Sequence, residues 1–326
     1  MDYLERLILA MQEEKIDKKQ ISICVSYAEK LLDKNLPVIF DVEHLNRILN
    51  LNGINIYAYK SFVVEGKSRS RTIEAPGRNL KKRQKWVLEN ILEKIPVSDN
   101  AHGFVKKRSI VSNAKCHVGQ KYILNMDIKN FFPTITRDAV FKIFYNLGYT
   151  IPVSELLADI CCAKGYLPQG APTSPYIANV VCFDMDSEIQ KLADANNAIY
   201  TRYADDITFS YNEEIPDIFS KINRILKKYG FSLNTMKTHL DSGNRRKLVT
   251  GLLVNEQIRV PKTFKRKLKQ EIYYCKKFGV IAHLENSRAE KCVNYKEHLY
   301  GKAYYIKMVE PKIGEEFLNQ LDGIRW

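Results

Sequence analysis

Apolar residues recur at three- and four-residue spacing near the start of the chain, at Leu4, Leu7, Ile8 and Met11 and, less regularly, at Ile23, Val25, Tyr27, Leu31 and Leu32. That period predicts helices over the first fifty positions. Asp41 stands just before His44-Leu45-Asn46-Arg47-Ile48-Leu49 and fits an N-cap, because its carboxylate can accept from the first-turn N–H groups. From Ile54 to Ile73 the pattern changes to alternation (Ile54, Ile56, Tyr57, Tyr59, then Phe62-Val63-Val64), which predicts strands, with Glu65 to Ile73 as a basic hairpin. Leu80 to Leu92 reads as a helix with a basic start and an apolar stripe through Trp86, Val87 and Ile91. Ala101 to Ile110 reads as a loop, Tyr122 to Ile128 as a short apolar strand, and residues 137–162 as helix. Leu167 to Pro175 holds three prolines and Gly170, a loop composition, and it runs into the small-residue segment Ile177 to Phe183. Two runs rich in β-branched and aromatic residues flank Asp205-Asp206, which predicts a hairpin with both acids at its turn. Residues 215–229 read as an amphipathic helix closing at Gly230, Leu248 to Val254 as a strand, and everything from Arg259 to Trp326 as helix.

Composition narrows the class. At 326 residues the chain is expected to hold two or three lobes, and 45% hydrophobic with 27% charged residues fits a folded protein rather than a disordered one. A formal charge of +14 points to a polyanionic partner, nucleic acid or else an anionic membrane surface. No apolar run approaches the ~18 residues of a membrane span. Met1-Asp2-Tyr3-Leu4-Glu5-Arg6 lacks the basic-then-apolar layout of a signal peptide, so a cytoplasmic location is expected. The seven cysteines are odd in number and contain no C-x-x-C pair, which suits reduced thiols. Vicinal Cys161-Cys162 reads as helix packing.

Candidate chemistry sits at a few points. Two adjacent carboxylates repel each other, so Asp205-Asp206 at a tip implies a cation or proton between them, with Mg²⁺ the natural candidate; a solvated turn is the plain alternative. Asp127 at a strand exit, followed by Phe131-Phe132, suits a metal ligand beside a flat substrate, or else an acid capping the next turn. The basic hairpin, with Lys67 and Arg71, offers donors for a triphosphate, or is simply a solvated face. Between Arg259 and Lys277 lie eight bases (Lys265, Arg266 and Lys269 among them) and one acid, Glu271, with Tyr273 and Tyr274 interleaved; such a helix fits a nucleic-acid backbone. His117, taken alone, reads as structural. From the residues alone the reading stops at a metal-dependent nucleotidyl transferase acting on nucleic acid.

In order, these pieces resemble a reverse transcriptase over roughly residues 60–260. Tyr203-Ala204-Asp205-Asp206 is similar to that family's core tetrapeptide, Asp127 to its first catalytic aspartate, Leu167-Pro168-Gln169-Gly170 to its nucleotide-packing loop, and Lys237 after Gly230-Phe231 to its lysine near the leaving phosphate. Asn113-Ala114-Lys115-Cys116-His117 and Val249-Thr250-Gly251 further resemble elements of bacterial retron reverse transcriptases.

The resemblance implies an α+β right-hand polymerase with an antiparallel palm sheet and helical N-terminal and thumb regions. It divides the chain into an N-terminal helical region (1–50), fingers (51–122), palm (123–258, with a helical insertion around 137–165) and an RNA-binding thumb (259–326). Asp127, Asp205 and the backbone of Ile128 would hold two Mg²⁺ ions, with Asp206 in support. Lys237 would be the proton donor to pyrophosphate, Arg71 and Lys67 would grip the triphosphate, Gln169 and Gly170 would line the nucleotide pocket, and Phe132 would exclude a ribose 2′-OH. Asn113, His117, Val249, Thr250, Gly251 and the bases Lys265, Arg266 and Lys269 would contact RNA. The implied partners are deoxynucleoside triphosphates, a cognate structured non-coding RNA, the branched multicopy single-stranded DNA (msDNA) copied from it and primed at a guanosine 2′-hydroxyl, and an effector protein in anti-phage defence. A membrane, an RNase H domain and an endonuclease domain are not expected. Other bacterial reverse transcriptases (group II intron-like or abortive-infection) and a non-catalytic RNA-binding scaffold are the competing readings.

Overall fold

Three short helices open the chain, and their starts are set by acids the sequence supplies. Asp2 caps α1 (Tyr3–Glu13) reciprocally with Glu5, and Asp17 caps α2 (Lys18–Leu32). The Asp41 carboxylate accepts from the His44 N–H at 2.7 Å to begin α3 (Val42–Leu49). Each cap satisfies N–H groups that have no partner inside the helix. The computed structural model that shows these features describes residues 2–65, 70–243, 245–286 and 294–326.

The strand pattern that starts at Ile54 becomes a strand only at Tyr59. Residues 54–58 form turns, and the Asn55 side chain accepts from the Tyr57 N–H at 2.8 Å, a local bond that competes with a ladder. β1 (Tyr59–Glu65) and β2 (Ser70–Pro76) then pair as an antiparallel ribbon, with Phe62 opposite Ile73 and Val64 opposite Arg71. Lys67 lies outside the described residues. Next come α4 (Arg78–Asn90), α5 (Ile110–Cys116), β3 (Tyr122–Asp127), α6 (Phe131–Thr134), α7 (Arg137–Leu147), α8 (Ile151–Cys161), α9 (Ser174–Val181) and α10 (Phe183–Asp194). The chain continues through β4 (Ile199–Tyr203), β5 (Asp206–Tyr211), α11 (Ile218–Lys228), β6 (His239–Ser242), β7 (Leu248–Val249) and β8 (Leu252–Leu253). It closes on α12 (Lys262–Phe278), α13 (Val280–Asn286), α14 (Tyr295–Val309) and α15 (Pro311–Asp322).

Two compact units result, each assembled from three chain segments. The first comprises Met1–Phe104, Ile128–Ile189 and Phe219–Leu233. Its interior is built from Leu31, Ile39, Leu45, Val87, Ile91, Val140, Phe144, Leu157 and Ile160, all without solvent exposure. Buried Gln84 ties three elements together: its amide nitrogen donates to the Tyr59 hydroxyl and to the Ile160 carbonyl, both at 2.8 Å. Arg83 closes the end of α3 by donating to the carbonyls of Leu49 and Asn50. Cys161 and Cys162 are buried, and burial pushes both thiols up, Cys162 to about 12. A thiol held protonated is a poor nucleophile, so the vicinal pair acts in packing.

The second unit comprises Val105–Asp127, Gln190–Ile218 and Asn234–Trp326. It holds an antiparallel sheet of order β4-β5-β3-β6. A continuous apolar cluster joins Ile123 of β3 and Ala114 of α5 to Val249, Leu252, Leu268, Ile272, Leu299, Ile306 and Leu321. The expected strand from Leu248 to Val254 is instead a tight hairpin. Thr250 (φ +46°) and Gly251 (φ +82°) both take the left-handed conformation that a twist-matched two-residue turn requires. The Thr-Gly pair is the turn, and apolar neighbours on both sides disguise it as a continuous run.

Helices α14 and α15 meet at Gly314. A Cβ there would fall on the backbone of Lys307. Backbone cannot rotate aside as a side chain can, so Gly314→Ala is expected to force the helices apart at a cost of about 3 kcal/mol. Chemical unfolding monitored by circular dichroism measures it, and an unshifted midpoint would refute the packing argument.

Candidate active site

The site begins with strand pairing. β4 and β5 close on the pair Tyr203–Asp206, leaving Ala204 and Asp205 as a two-residue turn. Ala204 takes φ +58°, a conformation in which a small side chain is least strained. Arg202 lies beneath, fully buried, and its guanidinium donates to the Ala204 carbonyl at 3.1 Å. β5 also pairs with β3, in a register that sets Asp206 opposite Asp127. Three acids from two distant stretches therefore share one end of the sheet. Asp127 is 6% exposed, Asp205 is half-buried and Asp206 is exposed.

Both oxygens of the Asp127 carboxylate are engaged. The Lys237 ammonium lies 2.6 Å from Oδ2, and the Asn234 side-chain amide donates to Oδ1 at 3.2 Å. The Asn234 N–H also donates to the Asp127 carbonyl at 2.7 Å. Among the described residues no three His, Cys, Asp or Glu side chains converge into a ready-made metal cage. Mg²⁺ does not require one: it binds through one or two carboxylates and takes its other ligands from substrate phosphates and water. An oxygen-only donor set of Asp127 and Asp205 fits this hard cation; Ile128, the next residue along the chain, is buried and opens a segment of the first unit. Lys237 would have to give up Oδ2 to the ion.

The expected nucleotide-binding residues Arg71, Phe132, Gln169 and Gly170 lie in the first unit. Arg71 is exposed on β2. Three residues on, Glu74 is buried, with its carboxylate held by the Lys164 ammonium at 2.7 Å and the Tyr166 hydroxyl at 3.3 Å. The Glu74 N–H donates to the Gln169 carbonyl at 2.9 Å. Gly170 (φ +140°) presses so closely that a Cβ would stand 2.7 Å from the Glu74 carbonyl oxygen. The Gln169-Gly170 loop is thus fastened to the strand that carries Arg71. Phe132 is half-buried, with its ring 5.4 Å from Phe131 and 6.4 Å from Phe104.

Several expected RNA contacts are placed inside the protein. His117 is 0% exposed, and its two ring nitrogens sit 2.7 Å from the Ser210 and Thr201 hydroxyls. Asn113 and Val249 are also buried. Thr250 donates its hydroxyl to the Ile110 carbonyl, and Gly251 is exposed. Lys265 is clamped to both oxygens of Glu310, at 2.8 and 2.9 Å. The His117, Thr250 and Lys265 side chains are bonded within the protein, to β4 and β5, to α5 and to Glu310 between α14 and α15. Arg266 and Lys269 are exposed, and with Lys262, Tyr273 and Lys277 they follow the 4-3-4-4 spacing of one helical face of α12. The Lys277 ammonium lies 5.5 Å from the Tyr273 ring centre.

Sequence reasoning missed Asn234, Glu74 and Arg202. An Arg in an otherwise apolar strand was the available signal for Arg202, and an Asn three residues before Lys237 was the signal for a turn head.

His117→Leu removes the ring shared by two buried hydroxyls and is expected to cost about 2–4 kcal/mol of stability. RNA affinity of the folded variant should match the wild type. Reduced RNA affinity with an unshifted unfolding midpoint would restore the contact role.

Comparison with known proteins gives the family. Residues 60–271 match the family model for reverse transcriptase (RNA-dependent DNA polymerase). The retron Ec86 reverse transcriptase of Escherichia coli is 37% identical over 81% of this chain and 85% of its own length. The retron Mx162 reverse transcriptase of Myxococcus xanthus is 34% identical over 81% of this chain but 60% of its own length, so the chain spans well under two thirds of that relative. Among solved structures, a telomerase of Candida albicans in complex with a fragment of telomeric RNA aligns with 81% of this chain and 62% of its own at 12% identity, with a TM-score of 0.44. With the acids set opposite each other on the sheet and the match running through them, the chain belongs to the bacterial retron reverse transcriptases, which are RNA-directed DNA polymerases.

Proposed function

We propose that the protein copies part of a cognate structured non-coding RNA into msDNA, starting from a guanosine 2′-hydroxyl of that RNA, and keeps the branched product bound. The observation that carries the catalytic half is the register that sets Asp206 opposite Asp127, with Asp205 in the adjoining turn. In this reading residues 1–50 form an N-terminal region, 51–122 the fingers, 123–258 the palm and 259–326 the thumb.

Asp127, Asp205 and the Ile128 carbonyl would hold two Mg²⁺ ions, and Asp206, beside the turn at the start of β5, would support them. Bound there, the ions supply charge stabilisation to the attacking and leaving oxygens of an in-line displacement. The chain's own residues do the rest. Lys237 leaves Asp127 Oδ2 and gives a proton to the departing pyrophosphate. Arg71, with Lys67, neutralises the triphosphate. The Gln169-Gly170 loop positions the deoxynucleotide, and the Phe132 ring occupies the space a ribose 2′-OH would need. Asn113, His117 and Val249 are buried and do not themselves touch RNA, and the exposed face of α12 follows the RNA backbone.

The protein acts in the cytoplasm with an effector in anti-phage defence. Consistent with this, no helix among the described residues is long and apolar enough to cross a membrane.

Co-expression with the DNA flanking the gene, followed by extraction of copurifying nucleic acid, tests the reading. The expected product is a short DNA joined to RNA, cleaved by a 2′,5′-debranching enzyme and missing from an Asp205→Ala, Asp206→Ala variant. Unbranched DNA would remove the retron-type priming, and RNA alone in both samples would favour a scaffold. For the RNA surface, replacing Lys262, Arg266, Lys269 and Lys277 by Ser should weaken binding. It should also flatten the slope of log affinity against log salt by about 3, at about 0.7 for each of the four lost phosphate contacts on a single strand. An unchanged slope would remove α12 from the interface.

A further inference from the structure

Asn234 makes two separate attachments to the residue on which the chemistry depends. Its side-chain amide donates to Asp127 Oδ1 at 3.2 Å, and its backbone N–H donates to the Asp127 carbonyl at 2.7 Å. It also heads the turn that follows. Its carbonyl accepts from the Lys237 N–H at 3.0 Å and from the Thr238 hydroxyl at 3.2 Å. That turn delivers the Lys237 ammonium to Asp127 Oδ2 at 2.6 Å.

We propose that Asn234 is a positioning residue of the polymerase site, which pins Asp127 by Oδ1 and sets Lys237 against Oδ2, so that Oδ2 is the oxygen exchanged between lysine and metal. The two donors differ in kind. Lysine is a cation and is repelled as a metal ion approaches, whereas the amide is neutral and can stay in place beside one. A carboxylate at a strand end can rotate about its last bond, and a donor fixed to one oxygen removes that freedom. The geometry also explains the residue type. Aspartate at 234 would add a negative charge beside Asp127 and have no hydrogen to donate. Glutamine would carry the amide past the oxygen. This inference rests on Asp127 being a metal ligand.

The test uses Mn²⁺ as the probe, titrated into the RNA-bound protein and followed by electron paramagnetic resonance of the free ion. The backbone bond does not depend on the side chain, so Asn234→Ala isolates the amide. It should weaken Mn²⁺ binding about 10–100-fold, the usual effect of losing a hydrogen bond to a ligand. The Mg²⁺ concentration that half-saturates DNA synthesis should rise in step, with most of the wild-type kcat recovered at saturating Mg²⁺ and RNA affinity unchanged. A role confined to stability would lower kcat at every metal concentration. Asn234→Leu keeps the volume and serves if alanine loosens the fold. Wild-type Mn²⁺ affinity in either folded variant overturns the proposal. Asp127→Asn run alongside separates the two claims, because wild-type Mn²⁺ affinity there would overturn the ligand role of Asp127 itself, and the proposal with it.

Discussion

The register between β3 and β5 is the constraint on which the site depends. Because side chains alternate along a strand, a slip of one residue would send Asp127 to the other face of the sheet and Asp206 out of opposition to it. Like charges brought this close disfavour the pairing, so the surroundings must hold it. Lys237 offsets one charge directly. The remainder of the restraint comes from packing and from polar groups buried against both faces of the sheet.

Those polar groups are unusual for an interior. Arg202 is fully buried under the Ala204-Asp205 turn, and His117 bridges hydroxyls on β4 and β5 from α5. A buried polar group is costly unless hydrogen-bonded, and when satisfied it specifies one arrangement more sharply than apolar contacts do. Neither Ser210 nor Thr201 can move out of register without losing the ring between them. The motif that looked like an RNA-binding element therefore acts as a clasp on the two strands that carry the acids. Any influence it has on RNA passes through that clasp.

The site was legible where local pattern and chemistry coincide. Alternating β-branched residues around Asp205-Asp206 gave the hairpin, Asp41 gave its helix, and Gly230 (φ +81°) ends α11 as its position suggested. What sequence could not give was the direction of a side chain or its distant partner. Lys265 looked like one base among eight until Glu310, forty-five residues on, proved to hold it. Asn234 was one more residue in a loop, because its partner lies on a strand more than a hundred positions earlier. The Val-Thr-Gly segment misled for a different reason. Its β-branched residues dominate the pattern, while a positive φ at Thr250 leaves no mark on the sequence.

The ribbon of β1 and β2 behaves differently from everything around it. Beyond Tyr59 every residue of β1 is exposed, Phe62, Val63 and Val64 included, while Glu74 and Pro76 anchor the far strand at its base. Two strands with so little burial are marginal by themselves, and local opening there costs far less than opening the sheet. The part of the protein that carries Arg71 is therefore the first to melt. If Arg71 grips a triphosphate as proposed, warming should loosen that grip while the carboxylates are still in register, and DNA synthesis should fail below the temperature at which the protein unfolds.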